Sequence, residues 1–171
     1  MFGWFKRTHP DPVSVRRWRD AVTAAARSPE PYLREWVPDT IYGRFHMVAL
    51  VATLAMRRLK GCGAAGRAIS KDFAELLFSD FDHALREHGV GDSSIARRIR
   101  KMGEEFYGLV GAVDKALDEG GGDKALADAV QRHVQADLGK AQELAVFVRD
   151  MDVKIERLSD DTVLKGPETL T

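Results

Sequence analysis

Cysteine is nearly absent from this chain, which has a single one, Cys62, among 171 residues. One cysteine excludes an internal disulfide framework and a zinc site built on several thiolates, and it is consistent with a reducing compartment. Cys62 lies in the glycine-rich stretch KGCGAAG. This setting predicts a thiol in a flexible connection, with no chemistry of its own.

The chain also lacks an excess of charge of either sign, because 26 lysines and arginines balance 26 acids. No overall field therefore draws the protein toward DNA, RNA or an anionic membrane. Any charge-driven binding has to come from a local cluster, and the clearest one comprises Arg97, Arg98, Arg100 and Lys101. Cations at the start of a helix oppose its dipole, so helix stability does not explain them. A solvated face, with Glu104 and Glu105 one turn later, is the alternative to a binding patch.

Long apolar runs and a secretory signal are missing as well. The longest apolar run, residues 47–56, has ten residues including Thr53, about half of the roughly 20 that a membrane helix needs. The first residues, MFGWFKRTHP, are apolar and then basic, the reverse of a secretory signal. We expect a cytoplasmic protein. Phe2, Trp4 and Phe5 are candidates for a peripheral contact with a membrane, and a frayed terminus is the alternative.

No stretch shows the alternating pattern of a strand, and no internal repeat is evident, so the sequence predicts an all-α fold. The length fits a single-domain bundle of about six helices. We divide the chain into an N-terminal segment with the first helix (1–30), a helical core (31–119), a C-terminal helical extension (120–158) and a disordered tail (159–171).

Apolar spacing and helix caps predict the individual helices. The first lies in SVRRWRDAVTAAARS, and a single helical turn follows in PYLREWVP. A long helix runs from an N-cap at Asp39 or Thr40 to about Lys60, and it is apolar nearly all round, as expected at the centre of a bundle. GCGAAG is predicted to be a flexible connection. Further helices are expected over about 66–88 and 93–118, with one helix or a pair over 124–158.

The stretch FSDFDHALREHGVGD, residues 78–92, is the densest group of chemically active side chains. Asp80, His83 and Glu87 project from one helix face, and two carboxylates with an imidazole are able to bind a transition metal. Three ligands over two turns of one helix rarely converge on an ion, however, and no Glu-x-x-His partner exists elsewhere. We therefore predict no metal and no cofactor, and keep a metal-dependent or redox enzyme as an alternative.

A helix end followed by a helix start explains much of the same stretch. Asp82 with Arg86, and His83 with Glu87, have the i,i+4 spacing of surface ion pairs. His88 lies in the last turn, Gly89 is the expected left-handed residue after it, Val90 is its apolar follower, and Asp92 is the N-cap of the next helix. His46 is isolated on the long helix and is expected in the core or at its rim. No catalytic motif is present, so we predict that the protein is not an enzyme.

Two segments, DTIYGRFHMVALVATLAMRRL and LLFSDFDHALREHGVGDSSIARRIRKMGEEFYGLVGAVDKAL, resemble the ubiquinol-cytochrome c chaperone family over about residues 31–117. The positions that match the family pattern are Asp39, Thr40, Gly43, Arg44, Phe45, Arg58, Leu59, Phe78, Asp80, Asp82, Leu85, Arg86, Glu87, Gly89, Val90, Gly91 and Asp92. Phe81 stands where an apolar residue is often found. His83 and His88 have no counterpart, and Val51 stands where members commonly have histidine, which argues against a histidine-based site.

The resemblance implies a chaperone for assembly of the cytochrome bc1 complex, with newly made cytochrome b or another bc1 subunit as client and the ribosome or a partner subunit as further contacts. It implies work at the cytoplasmic face of the inner membrane. The predicted protein-binding surface comprises Asp39, Thr40, Gly43, Arg44, Phe45, Phe78, Asp80, Phe81, Asp82, Arg86, Glu87, Gly89, Gly91 and Asp92. Arg44 is predicted to pair with Asp80 or Asp82, as an internal lock or as part of that surface. A membrane-surface or RNA-binding adaptor that uses the basic cluster is the alternative.

Overall fold

A computed structural model of the chain describes residues 10–89, 91–118, 120, 122–134 and 136–170, and the side chain of Asp92 lies outside this description. The helices are α1 (Pro12–Ala26), α2 (Glu30–Leu33), α3 (Ile41–Gly61), α4 (Gly63–Glu87), α5 (Asp92–Asp118), α6 (Gly122–Val134), α7 (Leu138–Glu156) and α8 (Asp160–Lys165). No strand occurs in the described ranges, which confirms the all-α prediction. Six of these helices have 13 or more residues, and α2 and α8 are short.

Helix α3 is the centre of the bundle and packs against α1, α4, α5, α7 and α8. Every residue over 47–56 is buried, as its apolar sequence predicts. Thr53 is accommodated because its hydroxyl donates to the carbonyl of Ala49 at 2.8 Å. Thr40 is the N-cap, since its hydroxyl accepts from the Gly43 amide at 3.1 Å. None of the helices in the described part of the chain combines the length and hydropathy of a bilayer span.

The connection between α3 and α4 is much tighter than predicted. Only Cys62 separates the two helices, and Gly63 adopts φ 68°, so GCGAAG is not a flexible connection. Gly66 lies against the end of α3: a Cβ there would stand 1.9 Å from the Leu59 carbonyl oxygen. The small residues thus serve a close turn between packed helices. Burial raises the pKa of the Cys62 thiol, which keeps it protonated at neutral pH.

The C-terminal segment predicted to be disordered is folded onto the bundle instead. Ser159 caps α8, and the indole of Trp18 donates to the Val163 carbonyl at 2.8 Å. Pro167 and Leu170 are buried beyond it. Six residues are too few to show a helical period in the sequence. The capping serine and the pair of apolar residues inside α8 are the features of the sequence that indicate this helix. Residues 124–158 form a pair of helices, α6 and α7, one of the two outcomes expected.

An ionic cluster joins α3, α5 and α7. Arg57 lies 2.6 Å from Asp118, 3.7 Å from Asp114 and 3.6 Å from Asp152. Lys60 adds a contact of 2.7 Å with Asp114. Burial raises the pKa of Asp152 despite the nearby Arg57 guanidinium. The cluster links the last turns of α3 to two other helices, and one of its acids is held where ionisation is costly.

Candidate functional site

A groove of about 800 Å³ lies between α1, the first turns of α3 and the second half of α4. We call it the α1/α4 groove. Its lining residues are Arg19, Asp20, Thr23 and Ala26 of α1 with its C-cap Arg27, then Tyr32, Asp39, Thr40, Ile41, Arg44, Phe45 and Val48, then Leu77, Asp80, Phe81, His83, Ala84 and Glu87 of α4, with His88 and Met102. The floor is mostly apolar and the rim is mostly charged.

The two segments that sequence analysis singled out meet at this groove. Of the predicted surface, the lining includes Asp39, Thr40, Arg44, Phe45, Asp80, Phe81 and Glu87. The residues of that prediction that do not line it are Gly43, Phe78, Asp82, Arg86, Gly89 and Gly91. The Asp92 side chain lies outside the described residues, so its predicted role as an N-cap stays a prediction.

Aromatic contacts join the two segments beneath the groove. The rings of Phe45 and Phe81 are 5.1 Å apart and nearly perpendicular, an arrangement that aromatic pairs favour. Phe78 lies behind Phe81, at 5.8 Å, and continues to the fully buried Phe106 at 5.3 Å. Phe78 therefore supports the floor from behind instead of lining it.

The ion pairs at the rim differ from those predicted. Arg44 pairs with Asp39 at 2.7 Å, and Arg19 of α1 reaches Asp80 at 3.2 Å. The predicted pairing of Arg44 with Asp80 or Asp82 is therefore wrong. Asp39 lies just before α3 and occupies the guanidinium, while the packing of α1 across α4 supplies Asp80 with a different arginine.

Local pairs also form among the charged residues near the end of α4. Asp82 binds Arg86 at 2.7 Å, and His83 lies 3.3 Å from Glu87, both with the predicted i,i+4 spacing. The guanidinium of Arg86 lowers the pKa of the Asp82 carboxyl, just as Arg44 lowers that of Asp39. The charged residues at the rim and beside it thus form neighbouring opposite pairs whose charges largely cancel.

The end of α4 has the predicted geometry. His88 contacts the Ala84 carbonyl through Nδ1 at 2.8 Å, and Gly89 has φ 72°, the left-handed conformation expected after the helix. Val90 lies outside the described residues. The two glycines of this stretch therefore belong to the turn between α4 and α5, whereas the histidines and Glu87 face the groove.

The arrangement of Asp80, His83 and Glu87 does not suit a metal ion. Asp80 is bound to Arg19, and His83 and Glu87 contact each other. In the part of the chain that the structure describes, no three histidine, cysteine or acidic side chains form a group able to hold a metal. His46, the other histidine considered, is half-buried at the rim of the core, and burial lowers its pKa.

All four residues of the basic cluster lie exposed on α5. Lys101 is 3.6 Å from Glu105, as the i,i+4 spacing predicts. Arg97, Arg98 and Arg100 have no ion-pair partner among the described residues. The other part of the adaptor hypothesis, the contact through Phe2, Trp4 and Phe5, falls outside the described residues.

Sequence reasoning missed the wall that α1 contributes. The apolar stripe of α1 predicts only its buried face, whereas Arg19, Thr23 and Arg27 recur every fourth residue on the face toward the groove. That i,i+4 recurrence indicates a second, polar face of α1, although it does not identify the helix that this face lies toward. Tyr32 fixes the far end of this wall by donating to the Ala26 carbonyl at 2.9 Å, and burial raises its pKa.

Comparison with known proteins gives two matches of different kinds. The family model described as ubiquinol-cytochrome C chaperone matches residues 36–170. A crystal structure of the Cbp3 homolog from Brucella abortus is similar to this chain, with a TM-score of 0.79 and 35% sequence identity. That match covers 91% of this chain and 87% of the homolog. No curated protein matches the sequence.

Proposed function

Because the chain belongs to the ubiquinol-cytochrome c chaperone family, we propose that it assists assembly of the cytochrome bc1 complex without catalysing a reaction. Its client in this proposal is newly made cytochrome b, a segment of which the α1/α4 groove holds. The family match and the likeness to the Cbp3 homolog support the assembly role. The choice of client and of groove is argued from the chemistry of the site.

The observation that carries the choice of groove is the convergence of both family-like segments on one apolar floor. Phe45 and Phe81 come from different segments and pack ring to ring at 5.1 Å. Val48, Leu77 and Met102 extend the apolar surface. An apolar groove with a polar rim is the usual binding site for one face of an amphipathic or apolar helix.

The rim suits a client whose binding is reversible. Asp39 and Asp80 are each within 3.2 Å of an arginine, so their charges do not have to be matched by the client. Exposed ion pairs contribute little energy individually. Affinity then comes mainly from the apolar floor, and release requires no breakage of strong charge pairs.

The same chemistry supports a role without catalysis. The Cys62 thiol has a raised pKa, so it is a poor nucleophile. The acids at the groove are engaged by arginines or, in the case of Glu87, lie beside His83. We place the protein in the cytoplasm, at the inner face of the inner membrane, where its client is inserted, with the ribosome or a partner subunit as a further contact.

A clean deletion tests the assembly role. We expect specific loss of the bc1 complex, measured by its haem spectrum and by native electrophoresis, with other respiratory complexes retained. Complementation with the wild-type chain should restore it. Normal bc1 levels in the deletion strain would contradict the proposal.

Site-specific photocrosslinking in cells tests the client and the groove. A photoreactive residue at Arg44 or Phe81 should capture cytochrome b, identified by mass spectrometry. The control places the photoreactive residue at Val153 or Lys154, which are exposed on α7 away from the groove. Equal capture from both places, or capture of cytochrome b only from α7, would reject this groove.

A further inference from the structure

The basic cluster on α5 has no structural function in the described fold. Residues 93–103 contain four cations, Arg97, Arg98, Arg100 and Lys101, and no acid. Ile95 and Met102, on the opposite side of the helix, are each 2% exposed and anchor α5 in the bundle. The apolar side of this helix is therefore already used, and the cations occupy the side that faces solvent.

The cations are not there to stabilise the helix or to pair with neighbours. They lie in the second and third turns of α5, so they make none of the favourable contact with the helix dipole that cations make in a last turn. Only Lys101 has an ion-pair partner among the described residues, Glu105, and the 3.6 Å contact between these mostly exposed groups is weak. Three arginines are thus left available to an external anion.

The spacing of the cluster makes it act as one charge patch. Five consecutive helical positions extend about 6 Å along the helix axis, which is less than the Debye length of about 10 Å at 0.1 M salt. An anionic surface would therefore be attracted by all four charges together. The cluster is therefore a local excess of positive charge on a chain whose net charge is zero.

The patch lies across α5 from the α1/α4 groove. Met102, the residue after Lys101, lines the groove, and so do Glu87 and His88 at the end of α4, immediately before the turn into α5. Whatever binds the patch is therefore held about one helix width, roughly 10 Å, from the groove.

The chemistry of the patch fits an anionic lipid surface better than RNA or an acidic protein. Proteins that bind RNA generally carry a basic charge over the whole domain, and this chain has none. Binding of single strands also uses aromatic stacking platforms, and residues 93–103 contain no aromatic side chain. A planar array of lipid phosphates needs only a compact group of exposed cations on one helix face.

We infer that Arg97, Arg98, Arg100 and Lys101 form a docking patch for the anionic surface of a phospholipid membrane. The binding is electrostatic, without insertion of α5, because the apolar face of the helix is buried in the bundle. Docking holds the groove about one helix width from the bilayer. The inference rests on the patch itself, although its use for a membrane-protein client depends on the proposed function.

Vesicle co-sedimentation with the purified full-length protein tests the patch. We expect binding to phosphatidylcholine vesicles containing about one third phosphatidylglycerol, and none to pure phosphatidylcholine, since the attraction needs anionic headgroups. Raising the salt from about 0.05 M to about 0.5 M should release the protein. Each cation near such a surface gives roughly a five-fold gain in binding. The variant R97A/R98A/R100A/K101A should therefore bind at least roughly ten-fold more weakly.

A matched variant controls for total charge. R67A/K124A/R132A/K154A removes the same number of exposed cations from α4, α6 and α7, none of them in an ion pair within the described structure. It should bind within about two-fold of wild type if the patch is specific. Both variants keep residues 1–9, so any contribution from that segment is common to them. Circular dichroism should show that both retain the wild-type helix content.

Three results would overturn the inference: equal loss of binding in the two variants, full binding by the patch variant, or salt-resistant binding to neutral vesicles. Binding of a labelled RNA in place of the vesicles, lost in the patch variant, would assign the patch to RNA instead. The assay contains no client. If the vesicle assay shows no binding, the deletion and crosslinking tests of the proposed function are unaffected. If those two tests fail, the vesicle result is unaffected.

Discussion

The guanidinium of Arg19 reaches the carboxylate of Asp80 at 3.2 Å and so connects α1 to α4 across the end of the groove. Arg19 also lies 2.8 Å from Asp20 on its own helix. Both members of the interhelical pair are part-exposed, at 29% and 39% of their side-chain area. The pair therefore orients the α1 wall more than it stabilises the fold.

A double-mutant cycle on this pair should give a small but measurable coupling. With Arg19→Ala, Asp80→Ala and the double variant, we expect a coupling of about 0.5 kcal/mol in the free energy of unfolding, because part-exposed ion pairs are screened by solvent. Urea denaturation measures it. The parallel cycle with Arg44→Ala and Asp80→Ala should give no coupling, and a larger value there would contradict the observed pairing.

Filling the groove should block the client without unfolding the protein. Ala84 is half-buried and lines the groove, so Ala84→Trp places a large side chain in the space left for the client. Capture of cytochrome b by a crosslinker at Arg44 should fall at least about ten-fold. Ala65→Trp, exposed on the same helix outside the groove, is the control. Equal effects of the two substitutions would show that the groove is not the site.

Two glycine substitutions should have opposite signs. Gly66→Ala puts a methyl group 1.9 Å from the Leu59 carbonyl oxygen, so the α3–α4 turn has to shift, at a cost of about 2–4 kcal/mol. Gly111→Ala meets nothing within 4 Å and should gain about 0.5–1 kcal/mol from helix propensity. Urea denaturation decides both signs. A neutral Gly66→Ala would mean that the connection is flexible after all.

The buried acid of the ionic cluster should give stability an unusual dependence on pH. Burial raises the pKa of Asp152 in the folded protein, so the folded state holds this proton more tightly than the unfolded state. The free energy of unfolding therefore falls as pH rises from the unfolded value of about 3.9 to the raised folded value. Asp152→Asn should remove this fall, measured by urea denaturation across that interval.

Asp160 provides the comparison with the opposite sign. Arg58 lowers its pKa, so its contribution is present above about 3.9 and is lost as pH falls through the lowered folded value. Asp160→Asn should therefore alter the pH dependence only on the acid side. The assignment would be wrong if Asp152→Asn left the slope above pH 3.9 unchanged.

The C-terminal segment should contribute to stability. Val163 is fully buried, and Val163→Ala removes two buried carbon atoms and leaves a cavity, at a cost of about 1.5–2.5 kcal/mol. Val153→Ala is the same substitution at a position that is 44% exposed, and it should change stability by less than about 0.5 kcal/mol. Equal, small effects would favour the disordered tail predicted from sequence.

Features carried by local sequence were predicted well. The apolar residues of α3 indicated its central place, and the spacing of Asp82 with Arg86 and of His83 with Glu87 gave two pairs correctly, because helix geometry alone fixes which side chains meet. The left-handed Gly89 was predicted for the same reason. In each case the relevant contacts span no more than a few residues.

Features that depend on how helices are placed relative to one another were missed. Arg19 and Asp80 are 61 residues apart, and nothing in their own segments indicates the pairing. The sequence points to Arg44 instead, because it belongs to a motif of the same family pattern as Asp80. The α3–α4 turn was misjudged because glycine permits both flexibility and close packing, and only the position of Leu59 shows which one applies. The groove itself combines residues from five helices, α1 to α5.

Trp18 and Val163 are 145 positions apart, yet one hydrogen bond joins them. Trp18 belongs to the helix that forms a wall of the groove, and its acceptor lies in α8, which leaves the ribosome 145 residues later. A nascent chain that ends before α8 therefore has α1 without this anchor. The wall of the groove is completed only after translation has passed Val163, so that an unfinished copy lacks the site in its final form.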